Sequence, residues 1–265
     1  MELFENAPVW KAYFTISLPV VFSMVVTLVY NMVDTFFVAG TQNASLVAGV
    51  SQCTPLFMLM LALGDIFGLG GSSLISRLFG QKDDETARNV SGFCFYAAIV
   101  CGLIVTVLMF AFQGPVLRVL GATSDTLKYA SQYYFWIALG APLIILSLTP
   151  SNIIRTEGLA MQSMIASVAG SILNIVLDPI FIFTLGMGAG GAALATVLGY
   201  VLSDVLLVCY ILRKSRHLTV FHQARAGCAQ VRDKRLRHRH SRLADESHAK
   251  LQHHGPEQAS HLIRT

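Results

Sequence analysis

Six apolar stretches long enough to cross a bilayer dominate the sequence, and they constrain its fold more than any other feature. They run roughly 13–38, 48–78, 90–112, 129–154, 162–185 and 190–212. A transmembrane helix needs about 20 such residues. Hydrocarbon offers no partners to backbone N–H and C=O groups, so only helices or closed barrels can span it. A barrel would alternate apolar and polar residues with period two, and these stretches are continuously apolar. The expected class is therefore all-α, a polytopic bundle of six transmembrane helices. The second stretch is too long for a simple span and is expected to tilt or to extend past the membrane surface.

Composition agrees but hides two unlike pieces. The chain of 265 residues is 54% hydrophobic and 13% charged, against about 45–50% and about 25% in soluble domains. Residues 1–220 carry 10 Lys and Arg against 11 Asp and Glu, net −1, whereas residues 221–265 carry 9 against 4, net +5. All eight histidines lie from His217 onward. The chain divides into a short N-terminus (1–12), a six-span bundle (13–220) and a basic His- and Arg-rich tail (221–265), expected to be disordered.

Two acids, Glu2 and Glu5, precede the first stretch beside Lys11, and the stretch exceeds the apolar core of a signal peptide, so a retained helix is expected. With six alternating spans, one side gathers Lys11, Arg77, Lys82, Arg88, Arg155, Arg213, Lys214 and Arg216, and the other only Arg118 and Lys128. The positive-inside bias places both termini in the cytoplasm and the protein in the inner or plasma membrane.

Function in such a bundle is sought at its costly residues. An acid at the bilayer centre costs at least about 2.5–3.5 kcal/mol on insertion scales. Asp34, Asp65, Asp178 and Asp204 qualify. Asn174 and Asp178, four apart, share a helix face. The span directions put Asp34, Asp178 and Thr196 together in the outer half. Pro179 removes one backbone hydrogen bond and frees a carbonyl beside them. Two carboxylates, an amide oxygen, a hydroxyl and a carbonyl make a hard-oxygen set for Na⁺, or a place to hold a proton. The alternative is that Asn and Thr merely join helices as packing hydrogen bonds, worth about 0.6 kcal/mol on average.

Asp65 and Asp204 lie deeper, and with Asn152 they are candidates for a further polar cavity. Gly64-x-x-x-Gly68, Gly70-Gly71 and Gly186-x-x-x-Gly190 read as close helix packing. The Arg155–Glu157 pair reads as a solvated turn. No phosphate-binding G-x-x-x-x-G-K-[ST] occurs, and no histidine lies within a span to activate Ser72 or Ser73. The five cysteines form no C-x-x-C pair. No enzyme, cofactor or metal centre is expected beyond Na⁺ at the cation site.

Four blocks carry a family resemblance. Residues 32–40 (MVDTFFVAG) resemble the first helix of multidrug and toxic compound extrusion (MATE) transporters, and residues 74–83 (LISRLFGQKD) resemble the end of their second. Residues 174–183 (NIVLDPIFIF) and 190–196 (GGAALAT) resemble their fifth and sixth. The resemblance covers roughly residues 6–220. It implies an antiporter driven by H⁺ or Na⁺, with two six-helix lobes rocking about a central cavity. It implies organic cations or amphiphilic drugs as substrates, lipid as surroundings and no nucleic-acid partner. It also implies that Asp34, Asn174, Asp178 and Thr196 form the cation site, the set that depth and spacing select. A further family Asn, on the fourth helix, is matched here by Asn152.

Family members have twelve helices, so this chain is expected to lack its C-terminal lobe and to be weakly active or inactive alone. Permitted codons from Arg237 onward can be chosen so that reading one base later yields Gly-Ile-Gly-Ile-Pro-Ala-Ser-Leu-Thr-Asn-Leu-Met-Gln-Ser-Phe. That string resembles the family's seventh helix, and a frameshift near residue 221 is expected. Resequencing the locus tests this. The competing expectation is a six-helix membrane protein acting as a homodimer, with a basic lipid-binding tail.

Overall fold

A computed structural model describes residues 9–214 of the chain. Among the described residues every regular element is helical: α1 (Val9–Gly40), α2 (Ala44–Gln52), α3 (Thr54–Gly80), α4 (Asp84–Ala111), α5 (Gln113–Val119), α6 (Leu127–Thr156), α7 (Ala160–Pro179), a π-turn (Ile180–Thr184) and α8 (Ala189–Lys214). Six segments are long and apolar enough to cross a membrane, so the chain is a multi-pass membrane helix bundle. Helix α1 begins at Val9, inside the segment expected to be a cytoplasmic N-terminus. The basic tail, Cys228 and the expected frameshift lie outside the described residues.

The long second stretch breaks at Cys53 into α2 and α3, with Pro55 in the first turn of α3. Proline suits that position because its missing N–H would be unpaired in a first helical turn anyway. Side chains hold the short arm. Asn43 caps α2 by accepting from the Leu46 N–H at 3.2 Å, and its Nδ2 donates to Tyr129 Oη at 2.8 Å. Gln52 Oε1 accepts from Thr126 Oγ1 at 3.1 Å.

Helix α6 is the hub. It packs against α3, α4 and α8, and 72% of its most apolar window is buried, against 18% for α1. Small residues bring these neighbours close. A Cβ on Gly64 would lie 2.6 Å from the Ile145 carbonyl oxygen, and one on Gly68 2.7 Å from that of Leu148. Both glycines therefore serve packing. Gly186 instead has φ +66° with open space around it and belongs to the turn before α8, whereas a Cβ on Gly190 would lie 3.3 Å from Trp136 Nε1 of α6.

Several polar groups in the apolar body are satisfied by bonds between neighbouring helices. Tyr134 Oη donates to the Met109 carbonyl at 2.7 Å, and Thr106 Oγ1 to that of Ala138 at 2.9 Å, pinning α4 to α6. Arg155 is not left to a solvated turn. Its Nε donates to Ser163 Oγ at 3.0 Å and Nη2 to Ser151 Oγ at 3.3 Å, tying α6 to α7. Such bonds matter because an unmade one in an apolar surrounding costs about 1–3 kcal/mol.

Candidate cation site

Helices α7 and α8 come unusually close where Gly170 faces Gly199. A Cβ on either would lie 2.5 or 2.8 Å from the other's carbonyl oxygen. Asn174 stands one turn after Gly170, and Thr196 one turn before Gly199 in the neighbouring helix. The glycine contact therefore sets the distance between the two polar residues.

Asn174 and Asp178 are buried, 2% and 0% exposed, and Thr196 is 5% exposed. With the Asn174 amide oriented to satisfy both its ends, its nitrogen donates to Asp178 Oδ2 at 3.2 Å. Its oxygen then accepts from the Thr196 N–H at 3.1 Å. Thr196 Oγ1 donates to the Ala192 carbonyl at 3.0 Å, which leaves its lone pairs for another partner. Asp34 arrives from α1, which packs along α7. Its carboxyl interacts electrostatically with that of Asp178, and its Oδ1 is buried without a donor.

These four residues thus converge from α1, α7 and α8. Pro179 ends α7, and the chain leaves it through the π-turn, where the Leu185 N–H reaches back to the Ile180 carbonyl at 2.9 Å. Such turns are common at functional sites. Two carboxyls placed face to face repel when both are ionised, and a cation or a shared proton removes that repulsion. The neighbouring amide and hydroxyl oxygens extend the donor set with hard ligands.

The other three candidates do not join them. Asn152 donates to the Leu148 carbonyl at 2.9 Å and abuts Gly68 at the α3–α6 seam. Asp65 is half-buried on α3 beside Gly64. Asp204 is buried on α8, two turns from Thr196, with both carboxyl oxygens unpartnered. Asn152 thus lies at the α3–α6 seam, Asp65 on α3 and Asp204 on α8.

Tyrosines were not singled out from the sequence, yet three line this region. Tyr30 and Tyr133 lie within electrostatic range of Asp34, and Tyr200 within that of Tyr30. Their spacing carries a signal. Tyr30 lies four residues before Asp34, and Tyr200 lies midway between Thr196 and Asp204.

The fold and its buried polar cluster define a multi-pass membrane helix bundle with a cluster of polar side chains inside it. The chain belongs to the MatE family, whose profile matches residues 19–180. It is 34% identical over 217 residues to the multidrug export protein MepA of Staphylococcus aureus, covering 82% of this chain and 48% of that protein. It is 32% identical over 216 residues to MepA of Staphylococcus haemolyticus, with the same coverage. In structure it resembles a MOP superfamily transporter from Pyrococcus furiosus, with TM-score 0.77 and 34% identity over 83% of this chain and 48% of that one. It also resembles an outward-facing multidrug resistance MATE family transporter, with TM-score 0.74 and 35% identity over 80% and 47%. The chain spans about half the length of the curated relatives it matches.

Proposed function

We propose that residues 13–220 act as the cation-binding lobe of a secondary antiporter that exports organic cations or amphiphilic drugs in exchange for H⁺ or Na⁺. The observation that carries this reading is the Asp34–Asp178 pair, faced by Asn174 and Thr196 inside an otherwise apolar bundle. A cation that neutralises the pair lets α1 settle against α7, and its departure restores the repulsion between them. A ligand shifts a conformational equilibrium only by its differential affinity for the two states, and this site supplies such a difference. The lobe orients its cation with Asn174, while Thr196 offers a further oxygen.

Export requires a surface that closes over the substrate, and in this reading a second six-helix lobe provides it. Both termini then face the cytoplasm of a cell or plasma membrane, in keeping with the Lys and Arg bias. The gradient, rather than a nucleotide, drives the cycle.

Two measurements test the proposal. Radiolabelled Na⁺ binding and proton release, measured on the purified chain, should both vanish at this site in Asp178→Asn. Unchanged binding of both ions would remove the site. Ethidium efflux should be weak from cells expressing this chain and restored when residues 1–220 are joined to the C-terminal half of a MepA relative. Equal efflux from both would refute the need for a second lobe.

A further inference from the structure

A cavity of about 420 Å³ opens where α5, the start of α6 and the turn before α8 meet. Gln113 lines it from α5, Ser131, Gln132, Phe135 and Trp136 from α6, and Met187 from the turn. None of these residues belongs to the cation site, and α1 and α7 contribute nothing to the lining. The volume falls in the range of small-molecule pockets, about 300–1,000 Å³. The three segments share one side of the membrane. Helix α5 follows the third span, Ser131 and Gln132 lie near the start of the fourth, and Met187 lies between the fifth and the sixth. That side is opposite the N-terminus.

The lining is graded along one face of α6. Lys128, Gln132 and Trp136 follow at intervals of four residues, about 6 Å apart along the axis. Ser131 and Phe135 repeat the spacing beside them. An exposed charge therefore stands at the helix start, an amide and a hydroxyl come next, and rings lie deepest. Phe135 packs edge-on against Trp136 and against Phe110 of α4, with 5.6 Å between ring centroids in each pair. Phe110 and Phe135 are 39% and 46% exposed, and Leu139, one turn further along α6, is 51% exposed. An apolar track thus leads from the cavity down the outside of the bundle.

The polar groups of the cavity are free to bind. Among the described residues, the side chains of Gln113, Ser131, Gln132 and Trp136 have no hydrogen-bond partner. Trp136 Nε1 can only donate. Gly190 beside it carries no side chain, and a Cβ there would lie 3.3 Å from that nitrogen. The amides and the hydroxyl can donate as well. No carboxylate lines the cavity. A cationic ligand would meet Lys128 and no acid. A phospholipid presents its parts in the order the helix face does: phosphate, ester carbonyls, then acyl chains. Tryptophan at a membrane surface suits the middle of that order.

We propose that this cavity binds one anionic glycerophospholipid, with its phosphodiester at Lys128, Ser131 and Gln132, an ester carbonyl at Trp136 Nε1, and its acyl chains along Phe135, Phe110 and Leu139. A zwitterionic lipid also carries a phosphate, but its ammonium group finds no acid in the lining. Lys128 therefore sets the preference for an anionic headgroup. The site stands whether or not the Asp34–Asp178 pair binds a cation.

Tryptophan fluorescence tests it. The chain has two tryptophans, so Trp10→Phe leaves Trp136 as a reporter inside the cavity. The purified 265-residue chain with this change is placed in phosphatidylcholine nanodiscs that contain equal fractions of chain-brominated phosphatidylglycerol or chain-brominated phosphatidylcholine. Bromine quenches tryptophan on contact. Brominated phosphatidylglycerol should bind about fivefold better than its phosphatidylcholine counterpart. Lys128→Gln should erase that preference, and Arg213→Gln, at the opposite end of the bundle, should keep it. Gln132→Leu removes a headgroup donor but retains Lys128, and the preference should fall; one kept in full would leave only a surface lysine and no cavity site. Equal quenching by the two lipids in the reporter chain, a preference that survives Lys128→Gln, or one lost equally in Arg213→Gln would overturn the proposal. Tetraphenylphosphonium should not relieve the quenching, and relief would reassign the cavity to organic cations.

Discussion

Asp178 and Asp204 are both buried carboxyls on neighbouring helices, 0% and 4% exposed, yet their surroundings are opposites. Asp178 accepts from Asn174 and faces a second acid, and a glycine contact fixes the helices that carry these groups. Asp204 has no hydrogen-bond partner on either oxygen. The difference separates two uses of an acid in a membrane bundle. A partnered acid has a fixed geometry and suits selective cation binding. A bare acid has no geometry to offer a metal ion and suits only a proton. Burial alone therefore does not identify a cation site; the partners do.

The largest expected effect strikes the partnered acid. Asp178→Asn leaves Asp34 facing an amide instead of a carboxyl, and a cation loses one of its two charged ligands. Removing one member of a buried charged set costs about 3–5 kcal/mol, more than a hundredfold in affinity. Na⁺ binding or pH-linked proton release measured on the purified chain checks it. The same change at Asp204 should leave Na⁺ binding within about twofold, because Asp204 lies about 12 Å from Thr196. Equal losses at both acids would erase the distinction.

Next comes the contact that builds the site. Gly170→Val must push α7 from α8, because even a Cβ there would lie 2.5 Å from the Gly199 carbonyl oxygen. Overpacking of this kind costs about 1–3 kcal/mol. Separation of Asn174 from Thr196 should accompany it. Thermal unfolding in detergent and cation binding should therefore fall together, whereas Gly70→Val, with nothing within 4 Å, should change neither. A third prediction has the opposite sign. Asp204→Leu removes unpartnered buried oxygens and should stabilise the chain by about 1–3 kcal/mol, read as a higher unfolding temperature. Asp178→Leu should lower it, because Asn174 then loses its acceptor.

Much of this was legible from residue order. Continuous apolar stretches name helices in lipid without ambiguity, and all six spans lie where the hydropathy puts them. Asn174 and Asp178 declare a shared face by their spacing, and alternation of span direction brings Asp34 and Thr196 to their level. The break at Cys53 was hidden because the apolar run continues through it, although Pro55 marked the place. Gly170 and Gly199 were invisible for a different reason. A search for G-x-x-x-G examines one helix, and this pair takes one glycine from each of two. The tyrosines resembled other aromatic residues of apolar spans, and only their registers with Asp34, Thr196 and Asp204 separate them. Asp65 and Asn152 share the polarity of the site residues but not their partners, since α3 meets α6 away from α1.

The smallest expected effect tests how Thr196 contributes. Its backbone N–H already donates to Asn174, so that link survives any side-chain change. Its hydroxyl donates to the Ala192 carbonyl, and such a bond within one helix stabilises by only about 0.5–1.5 kcal/mol. Thr196→Val keeps the branched shape and removes the oxygen. Stability should therefore change by no more than that range. If the hydroxyl oxygen is a cation ligand, Na⁺ affinity should fall by a comparable energy, about threefold to tenfold. Proton release from the acid pair should barely change, because a proton needs no second ligand. Thr196→Ser retains the oxygen and should restore Na⁺ affinity. Losses of both ions in Thr196→Val, with no rescue by serine, would assign Thr196 to packing against α7 and leave Asp34, Asn174 and Asp178 as the whole site.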